Sequence, residues 1–372
     1  RAMKIDFVAG DTWVIKVGSS LLTNHGEGID RTLVNGWVDD IVGLHHQGIR
    51  VVLVSSGAVA EGMQRLGFSE RPHSLQVLQA VAAVGQMRLI EMYESSFQRH
   101  DLHTAQVLLT HDDLRSRERY LNARNTLQQL LTLEVVPVVN ENDTVVTDEI
   151  QFGDNDTLAA LVTNLIGAQT LLLLTDQAGL MTADPAITDD AELIEQRSAN
   201  DPTLEDVAGK GSVLGRGGMV TKVRAARIAA RSGANTVIAP GRVSGVINRL
   251  SKRQISGTLL TADREAIVAR KQWLATLPVR GQLILDKGAC EVLTSAGRSL
   301  LSVGVLRSFG TFTRGEMVAC VDSKNREIAR GLVNYGSGDI EKLCGLTSDQ
   351  IEDVLGYVME EEIIHRDNLV LN

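Results

Sequence analysis

Aromatic side chains make up only 3% of the 372 residues. So few rings leave little surface on which unpaired bases could stack. Cysteine is equally scarce, with three residues at positions 290, 320 and 344. They are odd in number, widely spaced and not arranged as Cys-x-x-Cys, which argues against a disulfide framework or a zinc site and fits a reducing, cytoplasmic setting. No apolar run approaches the roughly 18 residues that a spanning helix needs, and no signal-peptide pattern opens the chain. A membrane role is therefore not expected. Positive charge is also short: 37 Lys+Arg stand against 46 Asp+Glu, a net charge of −9. That disfavours a general polyanion binder while leaving room for a local basic pocket.

Several motifs are missing as well. There is no Gly-x-x-x-x-Gly-Lys-Ser/Thr loop, no Gly-x-Gly-x-x-Gly after the first strand-like run and no Gly-x-Ser-x-Gly elbow. P-loop, dinucleotide-binding and serine-hydrolase readings lose their support. His45-His46 and His100/His103 lack carboxylate or cysteine partners at metal-ligand spacing, so the sequence names no metal ligands.

What is present is an alternation of strand-like and helix-like segments from Thr12 to about Thr261. Strands are predicted at Val14–Val17, Arg50–Val54, Thr104–Leu109, Val135–Val139, Leu171–Leu174 and Thr236–Ala239. Helices are predicted near Arg31–Gln47, Ala58–Leu66, Ser74–Gln98, Arg119–Leu131 and Leu158–Gly167, with another ending near Gly233. This is an α/β pattern, a mostly parallel sheet sandwiched by helices, over residues 10–262. Residues 263–279 read as a linker or connecting helix. Residues 280–372 carry short β-like runs at Gln282–Leu285, Val303–Leu306, Met317–Val321 and Ile328–Val333, and predict a small β-rich domain.

Ligands of parallel sheets collect at the carboxyl ends of the strands. Lys16-Val17-Gly18-Ser19-Ser20, Ser55-Ser56-Gly57, Asn140-Glu141-Asn142-Asp143 and Thr175-Asp176 all fall there. Each has an ordinary reading as turn residues; four at one edge predict a shared ligand. Gly153-Asp154-Asn155-Asp156-Thr157 precedes a helix, where capping accounts for one polar residue but not three in a row. Gly215-Arg216-Gly217-Gly218-Met219-Val220-Thr221-Lys222 opens another helix with bare backbone N–H groups, a natural phosphate site. Lys222 there opposes the helix dipole, which an anion facing it would explain, unless it is simply a solvated lysine.

Taken in order, these motifs resemble the glutamate 5-kinases of the amino-acid kinase superfamily, from about Thr12 to the end of the chain. The part beyond about residue 280 resembles the PUA domain that bacterial members carry. The resemblance implies transfer of the γ-phosphoryl group of ATP, with Mg²⁺, to the γ-carboxylate of L-glutamate, the first step of proline biosynthesis. It implies catalytic roles for Lys16, Lys222 and Asp156, with Asp156 orienting the two lysines. Ser56, Asp143 and Asn155 would hold glutamate. Lys16, Gly18, Thr175, Asp176, Arg216, Gly217, Gly218, Met219, Val220, Thr221 and Lys222 would hold the nucleotide. It further implies feedback inhibition by L-proline, a homo-oligomer (dimer or tetramer), and glutamyl-phosphate reductase as a partner that takes the product. Two alternatives stay open at this point: another superfamily branch acting on N-acetylglutamate, aspartate or UMP, and an RNA-binding protein acting through the PUA-like part. Residues 280–372 hold 10 Lys+Arg against 14 Asp+Glu, which disfavours nucleic acid as a ligand.

Overall fold

A computed structural model describes residues 3–24, 27–147, 155–209, 218–263 and 266–372. The chain divides into two compact units, Arg1–Leu114 with Arg124–Ala266, and Arg115–Ala123 with Ile267–Asn372. Within the span read as a linker lies the helix Ala266–Ala275, grouped from Ile267 onward with the second unit.

In the first unit the described strands are β1 (Thr12–Val17), β2 (Arg50–Ser55), β3 (Thr104–Leu109), β4 (Val136–Glu141), β5 (Thr170–Thr175), β6 (Gln196–Ser198), β7 (Asn235–Pro240) and β8 (Thr258–Thr261). They form one sheet in the order β3-β4-β2-β1-β5-β7-β8-β6. Neighbours run parallel except β7 and β8. Every residue of β1 is buried, as a central parallel strand with both faces covered requires. The edge strand β3 shows partial exposure instead. From β1 the chain moves to β2 on one side and later returns to β5 on the other. That puts a topological switch point beside β1, where crevices open at the carboxyl edge.

The longer helices follow the sequence pattern closely, whereas the short Ser19–Leu22, His111–Arg115, Leu204–Gly209 and Val246–Ser251 were not expected from it. Ala58–Leu66 has the predicted limits; Leu75–Gln98 starts one residue after Ser74, whose hydroxyl caps it. The strands β6 and β8, three and four residues long, escaped the reading. The helices Ala58–Leu66 and Leu75–Gln98 touch backbone to backbone through Gly62 and Gly85. A Cβ on Gly85 would lie 1.7 Å from the Ala58 carbonyl oxygen, and one on Gly62 1.9 Å from that of Val81. This contact seats the turn after β2 against the longer helix.

The second unit has its own sheet: β9 (Val279–Leu285), β10 (Val305–Phe309), β11 (Met317–Val321), β12 (Glu327–Leu332) and β13 (Leu369–Leu371), ordered β10-β9-β11-β12-β13. Leu283, Phe312, Val318, Tyr335 and Ile364 belong to a separate core beneath it. The short β13 and the helices Lys287–Ala296 and Ser337–Leu343 were not expected from the sequence.

Candidate active site

Lys16 is the penultimate residue of β1, paired in register with Val54 of β2 and Leu173 of β5. A lysine in a buried, central parallel strand is costly unless its ammonium finds a partner. Its Nζ lies 2.9 Å from Asp156 Oδ1. The other carboxylate oxygen, Oδ2, sits 3.1 Å from Lys222 Nζ and accepts a hydrogen bond of 2.8 Å from the Thr221 hydroxyl. Lys16, Asp156 and Lys222 are 6%, 0% and 7% exposed. Burial alone pushes the Asp156 carboxyl upward, but the two ammonium groups and the Thr221 hydroxyl outweigh it. They hold the acid well below the usual carboxylate range. Asp156 is thus ionised, and it pins two lysines from opposite sides of the switch point.

Backbone geometry brings these groups together. Asp156 is the first residue of the helix Asp156–Ile166, and Lys222 lies in the opening turn of the helix Met219–Arg231. Gly218 is the N-cap of that second helix and contributes no side chain there. Gly18 follows β1, and a Cβ on it would fall 3.3 Å from Lys16 Nζ. A bare glycine here leaves the approach to the ammonium open. Ser56, 5% exposed, follows β2, and its N–H donates to the Val17 carbonyl. Behind it the hydroxyls of Ser55 and Tyr93 lie 2.7 Å apart. Burial raises the Tyr93 pKa far above the usual phenol range, and the hydrogen bond to Ser55 only partly offsets this. That hydroxyl stays protonated.

On the β4 side the polar groups form a chain. Asn140 Nδ2 donates to Gln86 Oε1 at 2.7 Å, and Asn155 Nδ2 donates to Asn140 Oδ1 at 2.9 Å. Asn155 occupies the N-cap position of its helix, yet its side chain does not cap it. Asp143 is anchored through its carbonyl, which accepts a 3.0 Å hydrogen bond from Gln79 Nε2. Burial first, and then the adjacent Glu141 carboxylate, push the Asp143 carboxyl up to about 7. Among the described residues Asp143 Oδ1, Asn155 Oδ1 and Gln86 Nε2 are buried without a hydrogen-bond partner. Buried groups left unmatched are costly, and the two oxygens point to a missing ligand.

Residues 11–240 match the amino acid kinase family, and residues 281–355 match the PUA domain. The glutamate 5-kinase of Alcanivorax borkumensis is 60% identical over 96% of this chain and 96% of its own length. That of Pseudomonas fluorescens is 56% identical over 99% of this chain and 100% of its own. The chain belongs to the glutamate 5-kinase branch of the amino acid kinase family. The fold is also that of a solved structure, carbamate kinase from Giardia lamblia bound to AMP-PNP, at a TM-score of 0.50 and 17% identity, over 68% of this chain and 99% of the other.

For this amino acid kinase the structure places the expected residues unevenly. Lys16, Gly18, Asp156, Gly218, Met219, Val220, Thr221 and Lys222 meet around the carboxyl end of β1 or at the start of the helix Met219–Arg231. Asn155 joins them as the neighbour of Asp156, and Asp143 and Ser56 come from the ends of β4 and β2. Thr175 ends β5. Asp176, just beyond it, pairs with Arg242 Nε at 2.7 Å and accepts from the Ser20 hydroxyl at 3.1 Å. Arg216 and Gly217 lie outside the described residues. Sequence reasoning gave no role to Gln86 or Arg242, and placed Asn140 in a ligand cluster without a role of its own. A signal existed for Gln86. It stands four residues after Ala82 and three before Leu89, a carboxamide on the buried stripe of its helix.

Proposed function

We propose that this kinase transfers the γ-phosphoryl group of ATP to the γ-carboxylate of L-glutamate, through the residues gathered around β1. The buried Lys16–Asp156–Lys222 clamp carries the reading. A carboxylate is ionised at neutral pH, so no general base is needed. One carboxylate oxygen forms a bond to the γ-phosphorus, the bond from that phosphorus to the β,γ-bridging oxygen breaks, and ADP leaves. The obstacle is electrostatic, because two anions must meet in line. Lys16 approaches from the sheet and Lys222 from the helix, so that charge spreading over the phosphoryl oxygens meets ammonium groups already desolvated and oriented. Asp156 holds both lysines in place.

The nucleotide fits what is present. A side-chain-free N-cap at Gly218 opens a 13-residue helix, and Gly18 leaves room beside Lys16; both suit phosphate oxygens. Arg216, Gly217, Thr175 and Asp176 are assigned to the same nucleotide. Among the described residues no group of three or more His, Cys, Asp and Glu side chains gathers as a metal cage. Mg²⁺ bound with the nucleotide would supply charge neutralisation.

Glutamate falls on the other side. Ser56, Asp143 and Asn155 line it, and two of them offer unmatched buried oxygens. Oxygens that can only accept suit an ammonium with several N–H donors. This favours glutamate over N-acetylglutamate, whose acylated nitrogen has one N–H and no charge. L-Proline, also an amino acid with a cationic nitrogen, is assigned to this site as feedback inhibitor. A homo-oligomer, a cytoplasmic setting and hand-over of the labile acyl phosphate to glutamyl-phosphate reductase complete the reading. Among the described residues no helix is long and apolar enough to cross a membrane.

The test is ADP release with Mg·ATP and glutamate, with hydroxylamine present to trap the product. Glutamate-dependent hydroxamate is expected. Turnover with N-acetylglutamate, aspartate or UMP but none with glutamate would move the chain to another branch.

A further inference from the structure

One backbone donor settles the orientation of three buried carboxamides. The Glu141 N–H can only donate, and it lies 2.8 Å from the Asn140 side-chain oxygen. That fixes Asn140 Oδ1 as the acceptor and turns Nδ2 the other way, towards Gln86 Oε1 at 2.7 Å. Asn155 meets the same Asn140 oxygen at 2.9 Å, so it must do so with its amide nitrogen. Its own oxygen is then directed elsewhere, buried and unmatched among the described residues. Reversing any one of the three amides would set two donors or two acceptors against each other.

Gln86 is the far end of this chain, 91% buried in the helix Leu75–Gln98. Leucine would fill that stripe, beside Leu78, Ala82 and Leu89, without leaving an amide N–H unmatched. A carboxamide with one orphaned N–H is tolerated at such a position when its oxygen is needed. The need here is Asn140 Nδ2, another buried donor.

We infer that Gln86 is a positioning residue that sets substrate specificity: through Asn140 it holds Asn155 with its oxygen presented to the substrate, so that the site selects a free ammonium over an acylated amine. This rests on the reading of Asn155 and Asp143 as the amino-acid side of the site. Gln86 acts through its neighbours and touches neither the phosphoryl group nor the clamp.

The experiment uses the full chain and two Gln86 variants. Gln86→Met keeps length and volume but removes the acceptor; Gln86→Glu keeps an acceptor oxygen facing Asn140. With saturating Mg·ATP, Gln86→Met should raise the KM for glutamate by roughly tenfold or more, the cost of leaving a buried donor unmatched. Its kcat and KM for ATP should stay within about twofold, and its preference for glutamate over N-acetylglutamate should fall. Gln86→Glu should recover most of the loss. In an Asn155→Ala background Gln86→Met should add nothing, since the residue it positions is gone. An unchanged KM for glutamate in Gln86→Met, an equal rise in both KM values, or additive effects in the double variant would overturn the inference. If Asn155→Ala alone left the KM for glutamate unaltered, the amino-acid reading of the site would fail first, and the inference with it.

Discussion

At the level of single residues the site is a problem in buried charge. Asp156 holds two ammonium groups, and removing one lysine leaves the carboxylate to the other. Lys222→Ala should therefore fold, while losing a cation that meets charge developing on the phosphoryl group. We expect kcat to fall about 10²- to 10³-fold, the scale of losing one preorganised donor, with the KM for glutamate changed less than about threefold. Turnover near wild type in a coupled ADP assay would remove Lys222 from the mechanism. Asp143 makes a second prediction, in pH. Its carboxyl, raised to about 7 by burial and by Glu141, is protonated below that pH and then offers the substrate ammonium no charge. The KM for glutamate should rise as pH drops from 8 to 6, and Asn at position 143 should flatten that profile while raising KM throughout. Stability runs the opposite way. The ionised form is disfavoured in the fold, so wild type loses stability as pH climbs from the ordinary carboxylate range through about 7. At pH 8, Asp143→Asn should melt higher by a few degrees, read by differential scanning fluorimetry without ligands. The sequence made Lys16, Asp156, Lys222, Asp143 and Asn155 legible because each stands in a short polar cluster after a strand or before a helix. Gln86 and Arg242 stand alone, and their partners lie 54 and 66 residues away in the chain, a distance that no local pattern encodes.

At the level of elements, the strands that carry the site were legible for the same reason that they carry it. β1, β2, β4, β5 and β7 are buried over all or most of their length, so they read as uninterrupted apolar runs closed by polar turns. β6 and β8, three and four residues long, are too brief to show a period. The helix Lys287–Ala296 had its punctuation in view. Asp286 caps it by accepting from the Ala289 N–H, and Gly297 ends it with a left-handed φ of 57°. Only Leu293 is buried within it, so no apolar stripe drew attention to it. Helix packing supplies the prediction at this scale. Gly85 allows the helix Leu75–Gln98 to meet the Ala58 carbonyl, where a Cβ would come within 1.7 Å, and the Gly62 nitrogen, where it would come within 2.5 Å. Both obstacles are backbone and cannot rotate away. Gly85→Ala must separate the two helices, pulling Gln86 from Asn140 and shifting the turn that bears Ser56. We expect a loss of about 1–3 kcal/mol or more in urea unfolding and a raised KM for glutamate. A variant as stable as wild type would mean that the helices can slide apart freely.

At the level of the whole molecule, the two units ask different things of charge. The first buries two cations where an anion is handled, so the net charge of −9 does not hinder an anionic substrate within a few ångströms of Lys16 and Lys222. The second belongs to a domain type read at the sequence level as an RNA-binding candidate, yet 14 acidic residues outnumber its 10 basic ones between 280 and 372. Several of its arginines are also engaged with carboxylates: Arg326 with Asp322, Arg330 with Glu327 and Arg280 with Glu316. Such pairs at or near the surface add little stability, but they lower the positive potential that a phosphate backbone would meet. Association with RNA is paid for chiefly by counterion release, which needs a row of unpaired cations at phosphate spacing. The full chain is therefore expected to bind structured RNA no more tightly than about 10⁻⁴ M at physiological salt, measured by fluorescence anisotropy with a labelled hairpin. Micromolar binding with a steep salt slope, abolished by removing residues 280–372, would show that the acidic balance conceals a basic face and would restore the RNA-binding reading for this part of the chain.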